Sequence, residues 1–474
     1  MHKNLRILFL ASEADPFVKV GGLGDVAGSL PYAMRALRGH NPDVRLVLPF
    51  HSTIRGEGLT LSRETVFTLN RDGQEIPAQV FRTDIKGLPV YLISGAPVTG
   101  SQKVYDPNPY TDGEKYTFFS LAALEMARRF DWRPDIVHAN DWHTAAAVYQ
   151  VRRMQEDPFW AGVKTVFSVH NLGYMGAEAE NALLAYGLPP IPEPYYPEWA
   201  CRQPLPQALW AADSIVAVSP SYAQEIQTPE YGYGLETFLQ TRRETVTGIV
   251  NGIDYRLWDP SRDEALEQKF SADDLSARIA NKIALKAQFN LNMDEDAPLL
   301  AMITRMDYQK GVDIALGALR QITDLPWQAV LLGTGNAELE WQARQLEADF
   351  PNRIAAIIRF DAKLSRQIYA AADMLLMPSR YEPCGLAQMI AMRYGAIPVA
   401  RATGGLRDTI ADGRTGFLFA DSSPNVMAAT LRRALKAFEK RSKWEEMQRK
   451  AMFEDFSWEK SALKYADLYH HLVD

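Results

Sequence analysis

The chain of 474 residues has only two cysteines, Cys201 and Cys384, and they lie far apart. A disulfide framework or a structural zinc site needs more cysteines at closer spacing, so neither is expected to hold the fold together. No run of about 18 apolar residues occurs, so no membrane-spanning helix is predicted. The first apolar run, residues 7–11, is too short for a secretory signal and is soon followed by polar residues. We therefore expect a protein of the reducing cytoplasm.

An excess of basic residues is also missing, because 58 acidic residues outnumber 51 Lys and Arg residues and give a formal net charge of −7. Broad attraction to nucleic acid or to an anionic membrane needs basic stretches, so neither partner is expected. An anionic ligand would have to be held by a few local cations. With 47% hydrophobic residues, the chain can bury a large core, and its length exceeds what one core usually supports. Two large domains, or three, are therefore expected.

Short runs rich in Val, Ile and Leu alternate with segments of helical period along most of the chain. Such runs are typical of strands buried on both faces, and their alternation with helices predicts parallel sheets. The runs are RILFLA, VRLVLP, DIVHA, KTVFSV and SIVAV in the first half and PLLAMI, QAVLLG, AAIIRF, MLLMP and AIPVA in the second. The sequence therefore predicts an α/β protein with two doubly wound Rossmann-like domains, residues 1–250 and 251–456.

Three other segments complete the predicted organisation. From about residue 54 to 110, alternating apolar residues and turn residues predict a β-hairpin insertion in the first domain. The proline-rich residues 188–199 predict an ordered surface loop. Residues 457–474 predict an amphipathic terminal helix with Ser457 as its cap and Leu463 among its apolar residues.

The stretch KVGGLGDV, residues 19–26, joins the first predicted strand to a helix pattern. Its glycines, Gly21, Gly22 and Gly24, are expected to adopt positive φ and to let the backbone approach a ligand closely. Amide groups at the start of the following helix would suit an anion. A tight turn without a ligand is an equally good interpretation of a lone glycine cluster.

The same stretch also matches the G-x-G-x-x-A fingerprint of dinucleotide-binding domains, which makes a nicotinamide dehydrogenase an alternative. That interpretation requires an acidic residue at the end of the second strand, where it would hold a ribose. The second strand ends in Phe50 and His51, and Asp43 lies at its opposite end. The dehydrogenase interpretation is therefore disfavoured.

Three predicted strands of the second domain end in polar or glycine-rich loops, at the edge where open α/β sheets bind ligands. The loop TRMDYQKG carries Arg305 and Lys310, which could neutralise a diphosphate without a metal; a solvated charge pair is the alternative. The loop SRYEPCGL places Glu382 just before Cys384 and Gly385, at a predicted helix start that would aim amides at a ligand. The third loop, RATGGLRDTI, has paired glycines before a helix.

The ordered motifs resemble those of the glycogen and starch synthases, which are retaining GT-B glycosyltransferases of family 5. They are KVGGLGDV, HANDWH, SVHN, NGID, TRMDYQKG and SRYEPCGL, and together they span nearly the whole chain. The resemblance implies transfer of glucose from ADP-glucose to the non-reducing end of an α-1,4-glucan, with retention and with no cofactor or metal. UDP-glucose is the alternative donor. Another GT-B transferase, acting on sucrose or trehalose precursors, and a glucan-binding protein without catalysis remain alternative functions.

The resemblance also implies roles for individual residues, with a terminal helix returning to the first domain and Lys19 facing Arg305 and Lys310 across a deep interdomain cleft. The implied catalytic residues are Arg305, Lys310, Glu382, His170 and Asp141. The implied donor-binding residues are Lys19, Gly21, Gly22, Asp25, Asn251, Gly333, Phe360, Cys384, Gly385, Thr403 and Gly404. The implied acceptor-binding residues are Trp142, His143 and Tyr105, with Trp142 as a sugar-stacking platform. Fixed cations would stabilise the departing diphosphate.

Several of these assignments have alternatives. No second carboxylate motif accompanies Glu382, so front-face displacement is preferred to a carboxylate nucleophile. Phe360 occupies the place of a base-stacking aromatic, commonly tyrosine after glycine in the family, and the departure leaves the donor base open. Gly333 could form a plain turn and His170 could be an ordinary hydrogen-bonded loop residue. A metal at His138, Asp141 and His143 lacks support from further ligands.

Overall fold

The computed structural model describes residues 4–40, 42–54, 58–294 and 296–474. They form two compact units, of which the first comprises Met1–Gly252 and Trp458–Asp474 and the second Ile253–Ser457. Each unit contains a largely parallel sheet, so the predicted α/β class is confirmed. Residues 55–57 of the predicted insertion lie outside the described residues. Within the described part of the chain, no helix is both long and apolar enough to cross a bilayer.

The first unit alternates strands and helices and ends with a helix from the far end of the chain. Its elements are β1 (Arg6–Leu10), α1 (Gly22–Ala36), β2 (Asp43–Pro49), β3 (Ser62–Arg71), β4 (Gln74–Ile85), β5 (Leu88–Gly95), α2 (Ala96–Thr99), α3 (Pro109–Arg129), β6 (Ile136–Asn140), α4 (Ala145–Arg153), β7 (Lys164–Val169), α5 (Glu180–Ala185), α6 (Pro204–Ala211), β8 (Ser214–Ala217), α7 (Pro220–Glu225), α8 (Glu236–Thr241), β9 (Val246–Gly248) and, from the chain's C-terminal end, Trp458–Val473.

The sheet of the first unit has the order β3-β4-β5-β2-β1-β6-β7-β8-β9. Strand β1 pairs in parallel with β2 on one side and with β6 on the other. The chain therefore reverses its direction of progress across the sheet at β1. Loops that follow β1 and β6 flank a topological switch point, which is where open α/β sheets bind ligands.

The predicted hairpin is present and extends the main sheet. Strands β3 and β4 are antiparallel and are joined at Asp72 and Gly73, which both have positive φ. An Asp-Gly pair suits such a two-residue turn. Strand β4 pairs antiparallel with β5, and β5 pairs in parallel with β2. The inserted segment is thus a continuation of the sheet rather than a separate decoration.

The second unit has a six-stranded sheet in the order β12-β11-β10-β13-β14-β15. Its elements are α9 (Arg278–Gln288), β10 (Leu299–Ile303), α10 (Val312–Arg320), β11 (Gln328–Gly333), α11 (Ala337–Asp349), β12 (Ile354–Ile358), α12 (Ala362–Ala371), β13 (Met374–Met377), α13 (Ala387–Arg393), β14 (Ile397–Arg401), α14 (Gly404–Thr409), β15 (Phe417–Phe419), α15 (Pro424–Phe438) and α16 (Arg441–Phe453). Strand β10 pairs in parallel with β11 and β13, so the loops after β10 and β13 flank a second switch point.

The terminal helix of the chain, α17 (Trp458–Val473), belongs to the core of the first unit. It packs on α1, and its buried side chains join one hydrophobic cluster with β1 and β2. On β6, the Nδ1 of His138 lies 2.6 Å from the Tyr469 hydroxyl. Leu463 does not share this apolar face, because it is 43% exposed.

Candidate active site

A buried carboxylate that the sequence reasoning did not assign to the site holds the loop after β1. Glu13 is buried, and its oxygens accept hydrogen bonds from the backbone amides of Val20 and Gly21. The hydroxyl of Tyr105 donates to the same carboxylate at 3.0 Å. Glu13 therefore connects the glycine stretch to a residue predicted to bind the acceptor. An acid directly after a buried strand and shortly before glycines is the sequence feature that could have identified it.

The prediction of positive φ at Gly21, Gly22 and Gly24 is wrong. Helix α1 begins at Gly22, so its residues have helical backbone, and Gly21 has φ −135°. What these glycines contribute instead is the absence of a side chain, which leaves open space or room for a neighbouring side chain. A Cβ on Gly22 would meet no atom within 4 Å, whereas one on Gly24 would come within 3.0 Å of the Lys19 side chain.

Lys19 and Asp25 form an ion pair at the start of α1. The Lys19 Nζ lies 2.6 Å from the Asp25 Oδ1, and the lysine side chain is exposed. Burial raises the pKa of Asp25, and the neighbouring ammonium of Lys19 partly opposes this rise. The loop thus presents a cation whose position is fixed by a carboxylate one turn into the helix.

Asp141 joins the loop after β6 to the loop after β7. Its carboxylate accepts a hydrogen bond from the His170 amide at 2.7 Å and from the Asn171 amide at 3.3 Å. Asp141 also has φ +55° and ψ 179°, a strained backbone region that is nearly restricted to glycine, and such strain clusters at functional sites. Burial raises its pKa to about 7, and the amide hydrogen bonds partly oppose this rise. The structure brings Asp141 and His170 together as one polar group.

The imidazole of His170 is neutral near pH 7, because burial lowers its pKa to about 4. Its Nε2 lies 3.0 Å from the Asn140 Oδ1. A carboxamide oxygen can only accept, so Nε2 carries the proton and Nδ1 is the acceptor of the ring. The ring can therefore accept a hydrogen bond at Nδ1 from an uncharged hydroxyl group.

The three predicted acceptor-binding side chains also lie together. The His143 ring centroid is 4.3 Å from that of Trp142 and 4.9 Å from that of Tyr105. Burial lowers the pKa of His143 well below its usual value, and its Nδ1 has no hydrogen-bond partner among the described residues. The Trp142 indole is partly buried, and a Cβ on Gly176 would come within 2.5 Å of it. Only part of the indole is therefore available for stacking on a sugar.

In the second unit, Lys310 and Glu382 form a bidentate ion pair between the loops after β10 and β13. The Lys310 Nζ lies 2.8 Å and 2.7 Å from the two oxygens of Glu382. The hydroxyl of Ser379 donates to the same carboxylate at 2.9 Å. Glu382 is buried and Lys310 is half-buried, so this pair is not a solvated surface pair.

Arg305 lies in the same loop but is more open to solvent. Its Nε donates to the Asp307 Oδ2 at 2.5 Å, and its side chain is 61% exposed. Asp307 also accepts a hydrogen bond from the Lys310 amide at 2.8 Å, which fixes the turn between the two cations. Within the described part of the chain, the terminal guanidinium nitrogens of Arg305 have no partner, so they can bind an anion.

Glycines pack the strand-end loops of the second unit against one another. A Cβ on Gly311 would lie 2.1 Å from the Pro378 carbonyl oxygen, and Gly311 has φ +67°. A Cβ on Gly404 would lie 2.0 Å from the Glu382 carbonyl oxygen, and one on Gly405 equally close to that of Cys384. These backbone contacts hold the loop after β13, which carries Glu382 and is here named the Glu382 loop, in place from two sides.

The predicted helix start at Cys384 and Gly385 is wrong, because α13 begins at Ala387. Gly385 has φ +72°, which no right-handed helix accommodates. Cys384 is buried, and Thr403, also buried, precedes α14 as its N-cap residue. The Glu382 loop is therefore irregular backbone rather than the first turn of a helix.

The remaining predicted donor-binding residues differ in what surrounds them. Gly333 is required by packing, since a Cβ there would lie 1.9 Å from the Thr304 carbonyl oxygen. Phe360 follows β12 and is 85% exposed. Asn251 is buried in the first unit, and its Oδ1 has no hydrogen-bond partner among the described residues. Phe360 and Asn251 thus retain groups that could contact a ligand, whereas the absence of a side chain at Gly333 has a structural cause.

A metal at the histidines is not favoured by the contacts that they make. His138 is bonded to Ser168 and Tyr469 through its two ring nitrogens. Among residues 4–40, 42–54, 58–294 and 296–474, no group of three or more His, Cys, Asp or Glu side chains could hold a metal ion.

Two family models match this chain. The model described as the starch synthase catalytic domain matches residues 6–241, and the model described as glycosyl transferases group 1 matches residues 285–451. Each match falls within one of the two structural units.

Relatives of similar length match the chain from end to end. The glycogen synthase of Syntrophotalea carbinolica is 39% identical over 99% of this chain and 99% of its own length. The glycogen synthase of an Anaeromyxobacter species is 42% identical over 99% of this chain and 100% of its own length. The solved catalytic domain of starch synthase IV from Arabidopsis thaliana, bound to ADP and acarbose, is 32% identical, covers 99% of this chain and 100% of its own, and has a TM-score of 0.88. This likeness confirms the predicted GT-B architecture.

Sucrose-phosphate synthase from Thermosynechococcus elongatus, a further solved structure, shares the fold alone. It is 19% identical, with a TM-score of 0.63 over 99% of both chains.

Proposed function

Because the chain belongs to the glycogen and starch synthase family, we propose that it transfers the glucosyl group of ADP-glucose to the non-reducing end of an α-1,4-glucan, with retention at the anomeric carbon. The observation that carries the proposal is the grouping of Arg305, Lys310 and Glu382 in the loops after β10 and β13. These loops flank the switch point of the second sheet, where an open α/β sheet binds its ligand.

The two cations would act on the leaving group. Cleavage of the sugar–phosphate bond places negative charge on the departing diphosphate, and cations fixed in advance stabilise this charge without reorganising. The Glu382 carboxylate holds the Lys310 ammonium at two points, so its position is set before the donor binds. Arg305 would supply its terminal nitrogens as a fork for phosphate oxygens.

Glu382 is a positioning group in this proposal rather than a nucleophile. Both of its oxygens are occupied by Lys310, and one of them also accepts from Ser379. Retaining glycosidases that use a carboxylate nucleophile place two carboxyl groups about 5 Å apart. We propose front-face displacement, in which the acceptor hydroxyl attacks from the side of the leaving diphosphate and a phosphate oxygen takes its proton.

In the first unit, His170 and Asp141 would bind the transferred glucose. His170 is neutral, so its ring or its backbone carbonyl can bond to the 6-hydroxyl without placing a second charge beside the reacting carbon. The carboxylate of Asp141 fixes the His170 backbone. Lys19 and the open backbone at Gly21 and Gly22 would contact the donor, and Tyr105 and His143 the acceptor.

The exposed ring of Phe360 is our candidate for stacking on the base of the donor. A phenyl ring stacks on any base, so it fits adenine and does not by itself choose adenine over uracil. The preference for ADP-glucose therefore rests on family membership. Two cysteines placed in separate units suit the reducing cytoplasm as the site of the reaction.

The test is incorporation of labelled glucose into glycogen from ADP-glucose and from UDP-glucose in parallel. We expect ADP-glucose to be used with the higher kcat/KM and the product to be fully released by an exo-acting α-1,4-glucosidase. Incorporation from neither donor would refute the proposal. Faster transfer from UDP-glucose would correct the donor and leave the reaction class in place.

A further inference from the structure

Three large aromatic side chains of the first unit lie open to solvent in three different loops. Tyr174 is 58% exposed, Trp199 41% and Tyr233 48%. Contiguous exposed apolar groups on a protein surface usually mark a binding site, whereas scattered ones need no explanation. We name these three residues the aromatic surface.

Two close contacts connect them. A Cβ built on Gly173 would lie 3.2 Å from the Tyr233 ring, so the Tyr233 side chain reaches the residue that precedes Tyr174. A Cβ built on Gly234 would lie 3.6 Å from the Trp199 ring, so the indole lies beside the residue that follows Tyr233. The glycines leave room for the two rings, and the backbone at Tyr174, the Tyr233 ring and the Trp199 indole therefore lie next to one another on one surface.

The backbone at Tyr233 is held in a conformation that a bulky residue rarely adopts. Tyr233 has φ +51°, and the glycine that follows it has φ +85°. A left-handed backbone is unfavourable for an aromatic residue, and such strain clusters at active sites and ligand-binding positions. The loop thus presents the Tyr233 ring to solvent at an energetic cost.

The aromatic surface continues from the loop that carries His170. The Asn171 Oδ1 accepts a hydrogen bond from the Gly173 amide at 3.1 Å, and the Asn171 carbonyl accepts one from the Tyr174 amide at 3.2 Å. Asn171 itself donates to Asp141. A ligand bound at His170 could therefore extend over the aromatic surface without leaving the protein.

The charges around the surface indicate an uncharged ligand. Glu198 precedes Trp199 and is strongly exposed, and it shares the Arg202 guanidinium with Glu180, so this group keeps a net negative charge. Glu230 lies three residues before Tyr233 and is also exposed. Carboxylates at this position disfavour phosphorylated or otherwise anionic partners. Glucose units in a glucan offer apolar C–H faces for contact with a ring and hydroxyl groups for the polar rim.

From this placement we infer that the aromatic surface binds the outer chain of an α-1,4-glucan acceptor, beyond the glucose unit that is extended. The inference depends on the proposed function for the identity of the ligand. It concerns affinity for long chains and leaves the chemical step to the residues already described.

The test compares wild type with Trp199→Ala, Tyr233→Asn and the double variant. Asn removes the ring and tolerates the left-handed backbone, so loop strain is not confounded with loss of contact. Trp341→Ala, at a 54% exposed tryptophan of α11, is the matched control. Glycogen affinity is measured without donor by affinity electrophoresis, and KM and kcat are measured with glycogen and with maltotriose.

We expect the double variant to bind glycogen roughly tenfold more weakly. Its KM for glycogen should rise accordingly, while kcat with glycogen and both constants with maltotriose remain within about twofold of wild type. The control should behave as wild type throughout.

Unchanged glycogen affinity in the double variant would overturn the inference, as would an equal loss of activity with maltotriose and glycogen. A wild-type protein that self-associates through these residues, detected as a change of sedimentation in the variants with no change in glycogen affinity, would also overturn it. Wild-type incorporation of labelled glucose reports on the proposed function separately, because the affinity measurement needs no catalysis.

Discussion

The Lys310 ammonium has a structural task in addition to its proposed catalytic one. It is the cation that compensates the buried carboxylate of Glu382. Removing one partner of such a pair leaves an uncompensated charge, whereas removing both is much less costly. The two tasks can therefore be separated by mutation.

We predict that Lys310→Ala lowers turnover on the order of 10²-fold and lowers the free energy of unfolding by about 3 kcal/mol. The double variant Lys310→Ala/Glu382→Gln should regain most of the stability but none of the turnover. Thermal unfolding and initial rates with ADP-glucose measure the two effects.

Arg320→Ala serves as the control for this pair, because Arg320 is bonded to Asp349 in an exposed ion pair. Its stability should change by no more than about 0.5 kcal/mol. If the double variant recovered turnover together with stability, the ammonium would have no catalytic role.

Asp141 provides a second single-residue prediction, which concerns pH. Its pKa is about 7 in the folded chain, against about 3.9 in an unfolded one. Between these values the folded state holds a proton that the unfolded state has released. This contribution to stability is complete below about pH 4 and is lost as the pH rises through about 7.

Asp141→Asn should therefore gain stability relative to wild type as the pH is raised from about 5 to about 8, by up to a few kcal/mol. The buried histidines contribute equally to the pH dependence of stability in both proteins, so their effect cancels in the difference. Melting temperatures of the two proteins across this range measure the effect. If the melting temperatures of the two proteins changed in parallel across this range, Asp141 would already be ionised in the folded protein at pH 5.

Glycines at helix starts have different purposes in the two units, and a pair of substitutions distinguishes them. Gly405→Ala would push a methyl group to 2.0 Å from the Cys384 carbonyl oxygen. We expect a loss of about 2 kcal/mol or more, because backbone must move, together with a fall in turnover as the Glu382 loop shifts. Gly22→Ala meets no atom within 4 Å and should leave the melting temperature equal or slightly higher.

If the donor approaches the backbone at Gly22 as proposed, the Gly22→Ala enzyme should nevertheless show a KM for ADP-glucose raised by about tenfold. Stability and donor affinity would then change in opposite directions. An unaltered KM would mean that this glycine is only part of a turn.

The sequence predicted the elements better than their arrangement. Strands β7 and β11 coincide with KTVFSV and QAVLLG, because a strand buried on both faces is a continuous apolar run with sharp ends. The order of the strands depends on contacts between distant segments, so the two switch points became visible only in the structure. Most of the predicted site residues follow strand ends, where local motifs can be read from the sequence, whereas Tyr105 lies between α2 and α3; their roles stay predictions.

Other features of the site could not be predicted from local patterns. Gly333 and Gly404 suggest ligand approach in the sequence, but each packs against the carbonyl of a loop from another strand. The position of Glu13 between β1 and the glycine stretch marks it as a candidate, but its role arises from its bonds to Gly21 and Tyr105, which the position alone does not show. These roles are set by tertiary contacts.

The whole molecule consists of two units with separate cores, and the first is built from both ends of the chain. Helix α17 supplies Trp458, Tyr465 and Tyr469 to the same cluster as β1. The first unit is therefore complete only after the last residues of the chain have folded. The second unit is one continuous segment and has no such requirement.

A matched pair of substitutions on α17 tests this dependence. Tyr465 is 1% exposed and Leu463 is 43% exposed, although they lie two residues apart. Tyr465→Ala should cost about 3 to 5 kcal/mol, because it removes a large core side chain and leaves a cavity, whereas Leu463→Ala should cost less than about 1 kcal/mol. Since each unit has its own core, the loss should lower only the unfolding transition of the first unit in calorimetry. An equal shift of the transition assigned to Ile253–Ser457, or equal losses in the two variants, would contradict the assignment of α17 to the first unit alone.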